Sequence, residues 1–293
     1  MKKILIVGIS GQLGSALADV FQDSEWEVYG TYHKNAPKSG VTKTFKLDIT
    51  DQEKVKDLLA LTAPEVVINT ASMTWVDGCE TDTERASAVN VQGNQNLLQG
   101  CSPSTLFVYI STYYLFDGTK GFYQESDDPN PLNHYGKTKW QAEQDSLTRK
   151  NSLSIRTTKI FSYGYDDRNF IARLHHSLQE GKITRQANDQ FTNPILAEDL
   201  AHIIKLLILR QRNGVYHLGG SDYVSNYEFA VRFAEIMGLN QNFIKAVTSE
   251  ELEQAALRPK RCGLAVNKMR NEGVQLCNLK DSFLRLREKI REQ

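Results

Sequence analysis

The sequence has no excess of either charge and few cysteines. Lysine plus arginine and aspartate plus glutamate both total 35, so the formal net charge at pH 7 is zero. Such a balance gives no reason to expect nucleic acid or an anionic membrane as a partner. The four cysteines, Cys79, Cys101, Cys262 and Cys277, are scattered, with no CxxC spacing and no nearby histidine cluster. This distribution argues against a disulfide framework, predicts no metal site, and favours reduced thiols in the cytoplasm.

Long apolar runs and flexible linkers are also missing. No apolar stretch approaches the roughly 20 residues that a membrane-spanning helix needs. The run from Ile4 to Val7 is short and ends at Gly8, which is typical of a buried strand rather than of a signal peptide. No segment rich in proline, glycine or serine divides the 293 residues, so we expect lobes packed closely around a cleft.

Short apolar runs alternate with segments of helical periodicity. Continuous apolar runs suit strands covered on both faces, and a strand–helix alternation predicts an α/β fold with a doubly wound parallel sheet of the Rossmann type. The predicted strands are Ile4–Val7, Glu27–Gly30, Phe45–Leu47, Val66–Ile68, Leu106–Ile110, Leu153–Ile155 and Val215–Leu218. The predicted helices with both ends given are Leu13–Phe21, Ala86–Leu98, Gly136–Leu147, Leu196–Leu209 and Asp281–Arg291. Two more helices are predicted by their starts alone, one after a capping signal at 50–53 and one after Ser225.

A glycine turn follows the first strand and opens the first helix. Its spacing is G-x-x-G-x-x-G, from Gly8 to Gly14. Glycines let the backbone turn sharply and let a pyrophosphate approach the amide groups, while the helix N-terminus faces the anion with free N–H groups. The turn predicts dinucleotide binding by Gly8, Ser10, Gly11, Gln12, Leu13 and Gly14.

The end of the second strand bears on the choice of dinucleotide. An acidic residue there would prefer the free 2′-hydroxyl of NAD, but this chain reads Thr31, Tyr32, His33, Lys34. Lys34, with its neighbours, can hold a 2′-phosphate instead, so NADP(H) is preferred and NAD(H) stays open. Further predicted cofactor contacts are Asp48 and Ile49 after the third strand, and Thr70, Ala71 and Ser72 after the fourth.

A tyrosine and a lysine stand four residues apart at a helix start, Tyr135 and Lys139. Positions i and i+4 share one face of a helix, so the two side chains should point the same way. Thr112 ends the fifth predicted strand, at the carboxyl edge where open α/β sheets bind ligands. Alone the pattern occurs by chance, but beside a glycine turn and a strand-end threonine it predicts a proton-transfer element.

Several motifs, in order, resemble one known family. They are the glycine turn, "NTASMTWVDGCETD" (69–82), "YISTYYLFDG" (109–118), "PLNHYGKTKWQAE" (131–143), "NDQFTNP" (188–194) and "RPKRCGLAVNK" (258–268). The chain is similar to the extended short-chain dehydrogenase/reductases, and within them to the dTDP-4-dehydrorhamnose reductases and the related regulatory β subunits of methionine adenosyltransferase. The resemblance implies a catalytic triad of Thr112, Tyr135 and Lys139, with Asn90 as a fourth member that orders a water or as an ordinary helix residue.

The triad has a clear physical logic. A neutral tyrosine is a poor acid near its reference pKa of about 10. A nearby ammonium and the nicotinamide charge should lower the pKa of Tyr135, so that it gives a proton to a reduced ketone. Thr112 would hydrogen-bond the carbonyl oxygen, and Lys139 would also bind the cofactor ribose.

The chain departs from the family pattern at two positions. The reductases usually have an acid where this chain has Tyr113, and a tryptophan where it has Lys159. Both positions face the sugar in the resembling enzymes, so sugar recognition should differ. Arg258, Lys260 and Arg261 form a basic cluster suited to phosphate. The predicted substrate-binding residues are Thr74, Val76, Tyr113, Tyr114, Lys159, Phe191, Asn193, Arg258 and Arg261.

These features together predict domains and an activity. Residues 1–161 should form an NADP(H)-binding Rossmann domain, with added elements from about 195–220, and residues 162–293 mainly a smaller substrate-binding lobe. The resemblance implies NADPH-dependent reduction of the 4-keto group of a nucleotide-linked deoxysugar, in the cytoplasm. An epimerase or dehydratase with tightly bound NAD, and a non-catalytic NADP-binding regulatory subunit, stay open as alternatives. A homodimer is also open.

Overall fold

The structure is a computed structural model that describes residues 1–22, 25–37, 43–164 and 169–291. Its strands are β1 Lys2–Val7, β2 Trp26–Tyr32, β3 Lys43–Lys46, β4 Val66–Asn69, β5 Leu106–Thr112, β6 Ser152–Thr157, β7 Ile160–Phe161, β8 Thr184–Ala187, β9 Phe191–Thr192, β10 Ile195–Leu196, β11 Gly214–Leu218, β12 Val224–Ser225 and β13 Ile244–Val247. Its α-helices are α1 Gln12–Val20, α2 Gln52–Thr62, α3 Val76–Thr81, α4 Thr83–Ser87, α5 Gly93–Gly100, α6 His134–Leu147, α7 Phe170–Gln179, α8 Ala197–Leu209, α9 Asn226–Met237, α10 Asn267–Asn271 and α11 Leu279–Arg291.

A seven-stranded parallel sheet runs through the centre, in the order β11-β6-β5-β4-β1-β2-β3. Helices α1 and α8 cover one face through one buried apolar cluster. Helices α2, α5 and α6 cover the other face through a second cluster. Coverage on both faces explains the continuous apolar runs in the sequence, and the predicted α/β doubly wound fold is confirmed.

Side-chain caps fix where several helices begin. Asp51 accepts a hydrogen bond from the amide of Lys54 at the start of α2, within the predicted capping signal. Asn133 accepts one from the amide of Gly136 and thereby starts α6. The cap places Tyr135 in the first turn of α6, next to the carboxyl edge of the sheet.

The predicted helix Ala86–Leu98 is not continuous. A π-helical turn at Ala88–Gln92 separates α4 from α5. Such wide turns are rare and often occur at functional sites. Here the turn holds the side chain of Asn90 in the protein interior, at 3% exposure.

The C-terminal part contributes to the sheet and also forms its own core. Strand β11 pairs with β6, and α8 packs against α1. Helices α7, α9 and α11 enclose a third apolar cluster. The division into two domains stays a prediction. No helix within the described residues is long and apolar enough to cross a membrane.

Candidate active site

The glycine turn leaves the N-terminus of α1 open. Gly8 has a φ of +85°, a conformation that glycine adopts without strain. A Cβ on Gly14 would lie 2.2 Å from the carbonyl oxygen of Gly8, so no side chain fits there. Gly11 caps α1 without a side-chain hydrogen bond, and the first turn of the helix has no acid. The free N–H groups and the positive end of α1 therefore suit a pyrophosphate.

The other residues of the turn differ in their surroundings. Ser10 and Gln12 are half-buried, whereas Leu13 packs into the core. The side-chain oxygen of Gln12 accepts a 2.9 Å hydrogen bond from the hydroxyl of Ser162, just past β7. The turn thus contacts the segment that follows Lys159.

The end of β2 presents basic side chains to solvent. His33 and Lys34 are exposed, and Tyr32 is half-buried beside them. The Nε2 atom of His33 lies 3.5 Å from a carboxylate oxygen of Asp48. Hydrogen bonds from Thr50 lower the pKa of Asp48. Since Asp48 faces His33, Lys34 is the residue best suited to a 2′-phosphate, and the residues present fit NADP(H).

The segment after β4 is held tightly at the carboxyl edge. The hydroxyl of Thr70 donates to the carbonyl oxygen of Val7 at 2.7 Å, so it is occupied within the protein. Ala71 and Ser72 are half-buried and follow directly. The predicted contact Ile49 is buried, and its side chain packs over Gly93 of α5. Thr70, Ala71 and Ser72 thus present small side chains at the carboxyl edge of the sheet.

Further along, Thr74 is exposed and Val76 half-buried at the start of α3. Val76 packs against the buried cluster of Cys79, Ala86 and Tyr135. The role of Thr74 and Val76 in substrate binding stays a prediction.

Asn90 connects the segment after β4 to helix α6 through hydrogen bonds. Its side-chain oxygen accepts hydrogen bonds from the hydroxyl of Ser72 and the amide of Met73, at 2.8 and 2.7 Å. Its side-chain nitrogen donates to the carbonyl oxygen of Met73 and to the hydroxyl of Thr138, at 3.2 and 3.0 Å. Thr138 precedes Lys139, so this geometry favours a positioning role for Asn90 over both roles predicted from the sequence.

Thr112, Tyr135 and Lys139 meet at the carboxyl edge of β5. They are 5%, 8% and 3% exposed. A hydrogen bond joins the side chains of Thr112 and Tyr135. The ammonium of Lys139 donates to the carbonyl oxygen of Ile110 at 2.6 Å and lies 4.2 Å from the ring centroid of Tyr109. The structure therefore brings the predicted triad together.

The protein alone does not lower the pKa of Tyr135. Burial raises it, although the hydrogen bond with Thr112 acts in the opposite direction. Burial also lowers the pKa of Lys139 to about 7, against the charge of Glu143. Desolvation therefore dominates the pKa of Tyr135, and the ammonium of Lys139 binds a backbone carbonyl; activation of the phenol by the ammonium and the nicotinamide charge together stays a prediction.

A buried ion pair lies one helical turn beyond Lys139. Glu143 of α6 accepts hydrogen bonds from Arg156 of β6, the shorter at 2.7 Å. Its other oxygen accepts from the hydroxyl of Ser154 at 3.0 Å. Sequence reasoning missed this pair, because Glu143 and Arg156 lie on different elements and no local spacing connects them.

Two further tyrosines extend the site. The rings of Tyr113 and Tyr114 are 4.5 Å apart, and Tyr114 meets Tyr135 edge-on at 5.5 Å. Tyr113 packs beside a buried cluster that contains Phe116 and Cys262. Burial raises the pKa of Tyr114, while interactions with Tyr113 and Arg258 oppose this shift. Burial also raises the pKa of Tyr113, so a neutral phenol occupies the position at which the family pattern has an acid.

Arg258 is not free to bind a phosphate in this structure. It forms a two-pronged ion pair with Asp77 of α3, at 2.5 and 2.8 Å. The carboxylate also accepts a hydrogen bond from the amide of Ala256. In this structure a carboxylate therefore occupies the guanidinium, and phosphate binding by Arg258 stays a prediction. Asp77 was missed, although it lies within a quoted motif.

The remaining predicted substrate residues separate into two groups. Phe191 is half-buried and Arg261 exposed, and the two pair as an isolated parallel bridge. Asn193 is only 2% exposed, and its amide bonds the backbone of Gly220 and Leu264. Asn193 therefore links the backbone near Gly220 to that at Leu264, and its role in binding substrate stays a prediction.

Lys159 lies between the sheet and the C-terminal part. Its ammonium donates to the side-chain oxygen of Asn226 and lies 4.4 Å from the ring centroid of Phe170. Burial lowers the pKa of Lys159 to about 8. Lys159, whose partner is the neutral side-chain amide of Asn226, thus occupies the position at which the family pattern has a tryptophan.

The chain is similar to known proteins over nearly its whole length. A family model described as the RmlD substrate binding domain matches residues 1–291. The dTDP-4-dehydrorhamnose reductase of Aggregatibacter actinomycetemcomitans is 30% identical, over 94% of this chain and 95% of its own. The methionine adenosyltransferase 2 subunit beta of Rattus norvegicus is 28% identical, over 93% and 83% respectively.

A solved structure extends the likeness to the fold. The dTDP-4-dehydrorhamnose reductase of Bacillus anthracis, in complex with NADP, has a TM-score of 0.86 at 28% identity, and the match covers 100% of both chains. The resemblance predicted from the motifs is confirmed. The chain belongs to the family of the RmlD substrate binding domain.

Proposed function

We propose that the protein is an NADPH-dependent reductase of the 4-keto group of a nucleotide-linked deoxysugar. The observation that carries this proposal is the meeting of Thr112, Tyr135 and Lys139 at the carboxyl edge, beside an open glycine turn. The relative named a dTDP-4-dehydrorhamnose reductase supports the same reaction. Residues 1–161 with the added elements near 195–220 would then bind cofactor, and the rest mainly substrate.

The chain's own residues would divide the chemistry as follows. Thr112 holds the carbonyl oxygen, and Tyr135 gives it a proton as it becomes an alkoxide. Lys139 orients the ribose of the cofactor and supplies positive charge near the phenol. Asn90 is hydrogen-bonded to both Ser72 and Thr138, and it thereby keeps the segment Ser72–Met73 at a fixed distance from Lys139. The raised pKa of Tyr135 keeps its proton in place until the alkoxide forms.

The cofactor would lie between the glycine turn and the triad. Bound NADPH supplies the hydride, and the Bacillus anthracis relative was solved with NADP. Lys34 would read the 2′-phosphate, which makes NADP(H) preferred and NAD(H) a weaker substitute. The free cysteines fit a reducing cytoplasm. The homodimer stays a prediction that light scattering would test.

NADPH oxidation with a panel of nucleotide 4-ketohexoses tests the proposal. The wild type should oxidise NADPH with at least one member, and Tyr135→Phe should lose at least about a hundredfold in kcat, because it lacks the donated proton. Trp26→Phe, a change in a buried ring far from the triad, serves as the control.

No turnover across the panel would overturn the reductase. A stable complex with a synthetase, unaffected by Tyr135→Phe, would instead support the regulatory alternative, which the name of the rat relative motivates. Stoichiometric NAD in the purified protein would support an epimerase or dehydratase.

A further inference from the structure

Asn133 makes two hydrogen bonds from one buried side chain, which is 1% exposed. Its side-chain oxygen accepts from the amide of Gly136 at 2.9 Å and caps α6, and its side-chain nitrogen donates to the carbonyl oxygen of Leu257 at 2.7 Å. Only this orientation of the side-chain amide satisfies both neighbours, since a backbone N–H donates and a backbone carbonyl accepts. One side chain therefore fixes the start of the helix that carries Tyr135 and also a point 124 residues further along the chain.

The segment 256–258, which receives this hydrogen bond, is held by polar contacts. It lies in a stretch without helix or strand, and the side chain of Leu257 is 70% exposed. Asp77 of α3 holds both ends of the segment, because its carboxylate accepts from the amide of Ala256 at 3.0 Å and pairs with Arg258. The Asn133–Leu257 bond holds the middle, so α3 and the start of α6 together fix the position of the segment.

The same segment borders the catalytic tyrosine. The guanidinium of Arg258 donates a hydrogen bond to the phenol oxygen of Tyr114. The ring of Tyr114 meets that of Tyr135 edge-on at 5.5 Å, and it packs against the buried cluster that contains Tyr135. The segment is therefore joined to Tyr135 by two routes, one through Tyr114 and one through Asn133.

We propose that Asn133 is a positioning residue that holds the segment 256–258 beside Tyr135. This inference rests on the proposed function. Without the Asn133–Leu257 bond the segment would separate from the start of α6, and Arg258 would no longer hold Tyr114 in place. Substrate should then bind more weakly, by roughly tenfold for the loss of one buried hydrogen bond. Proton transfer from Tyr135 should be retained as long as a cap oxygen still fixes the start of α6.

Two substitutions remove the donor and keep the cap. Asn133→Ser and Asn133→Asp both retain an oxygen that can accept from the amide of Gly136, and the three residue types are similar as helix caps. Asn133→Ser should raise the KM for the keto sugar nucleotide that the wild type reduces by about tenfold, and leave kcat within about twofold. Asn133→Asp should raise KM further, because its carboxylate would face the carbonyl oxygen of Leu257 without a donor between them.

Asn169→Ser is the matched control. Asn169 caps α7 in the same way, since its side-chain oxygen accepts from the amide of Ala172 at 2.9 Å. Its side-chain nitrogen, however, has no hydrogen-bond partner in the part of the chain that the structure describes. Asn169→Ser therefore makes the same chemical change at a cap without removing a second hydrogen bond, and its KM and kcat should stay at the wild-type values.

Amide hydrogen exchange, measured by mass spectrometry on the whole protein without ligand, needs no turnover. In Asn133→Ser the peptide that contains residues 256–258 should exchange about tenfold faster than in the wild type, while the first turn of α6 should stay as protected as before. Unchanged exchange at 256–258 would overturn the proposal, and so would a loss of kcat at an unchanged KM. Faster exchange in a protein that reduces no keto sugar nucleotide would refute the reductase and leave the positioning role standing, so the two proposals fail separately.

Discussion

Because Lys139 is buried, the free energy of unfolding should rise with pH above about pH 7. The pKa of this lysine falls from 10.5 to about 7 in the folded protein. At about 1.36 kcal/mol per pKa unit, the charged form costs roughly 5 kcal/mol relative to the unfolded chain. Between pH 7 and 10.5 the unfolded state binds more protons than the folded state, so the free energy of unfolding rises with pH.

Lys139→Met removes this titration and isolates its effect. The stability of the variant relative to the wild type should be highest below pH 7 and should fall by about 2 kcal/mol between pH 7 and pH 9. Urea unfolding followed by tryptophan fluorescence at pH 7, 8 and 9 measures the difference. Lys137→Met, at an exposed lysine of the same helix, is the control. A difference that stays constant or grows with pH would refute the reasoning.

Three other predictions concern the cofactor site and the buried ion pair. Gly14→Ala should abolish NADPH binding measured by nicotinamide fluorescence, because its Cβ would lie 2.2 Å from the oxygen of Gly8; normal binding would contradict the turn. Lys34→Ala should raise the Kd for NADPH by about tenfold and leave that for NADH unchanged, and equal effects would reject its role with the 2′-phosphate. Glu143→Gln should lower the free energy of unfolding by about 3 kcal/mol or more, since Arg156 loses its buried partner; an unchanged urea midpoint would count against it.

The sheet could be predicted from the sequence because its strands carry their own signal. Strands buried on both faces must be apolar throughout, and every predicted run overlaps an observed strand of the sheet, as Val66–Ile68 lies within β4; only Phe45–Leu47 extends past its strand, by one residue beyond β3. Gly8 and Gly14 were predicted because close backbone approach permits only glycine there. Thr112, Tyr135 and Lys139 followed from strand-end position and helix period.

The missed features depend on contacts between distant parts of the chain. Arg258 and Asp77 are 181 residues apart, so no local pattern could show that the arginine was already paired. The π-helical turn at Ala88–Gln92 arises where Asn90 bonds the segment after β4, and helical periodicity does not reveal it. The pKa shifts of Tyr135 and Lys139 follow from burial, which a motif does not measure.

The two positions that depart from the family pattern, Tyr113 and Lys159, have different neighbours. Tyr113 packs against the cluster that contains Cys262, while Lys159 binds Asn226 and lies over Phe170. Both positions follow strands of the sheet; Tyr113 has neighbours from its own segment and from the C-terminal part, whereas the neighbours of Lys159 come from the C-terminal part. Restoring an acid at position 113 would therefore place a carboxylate against an apolar cluster unless that cluster changed too. The two departures thus change the contacts at the sheet edge through different neighbours, and their effect on sugar recognition stays a prediction.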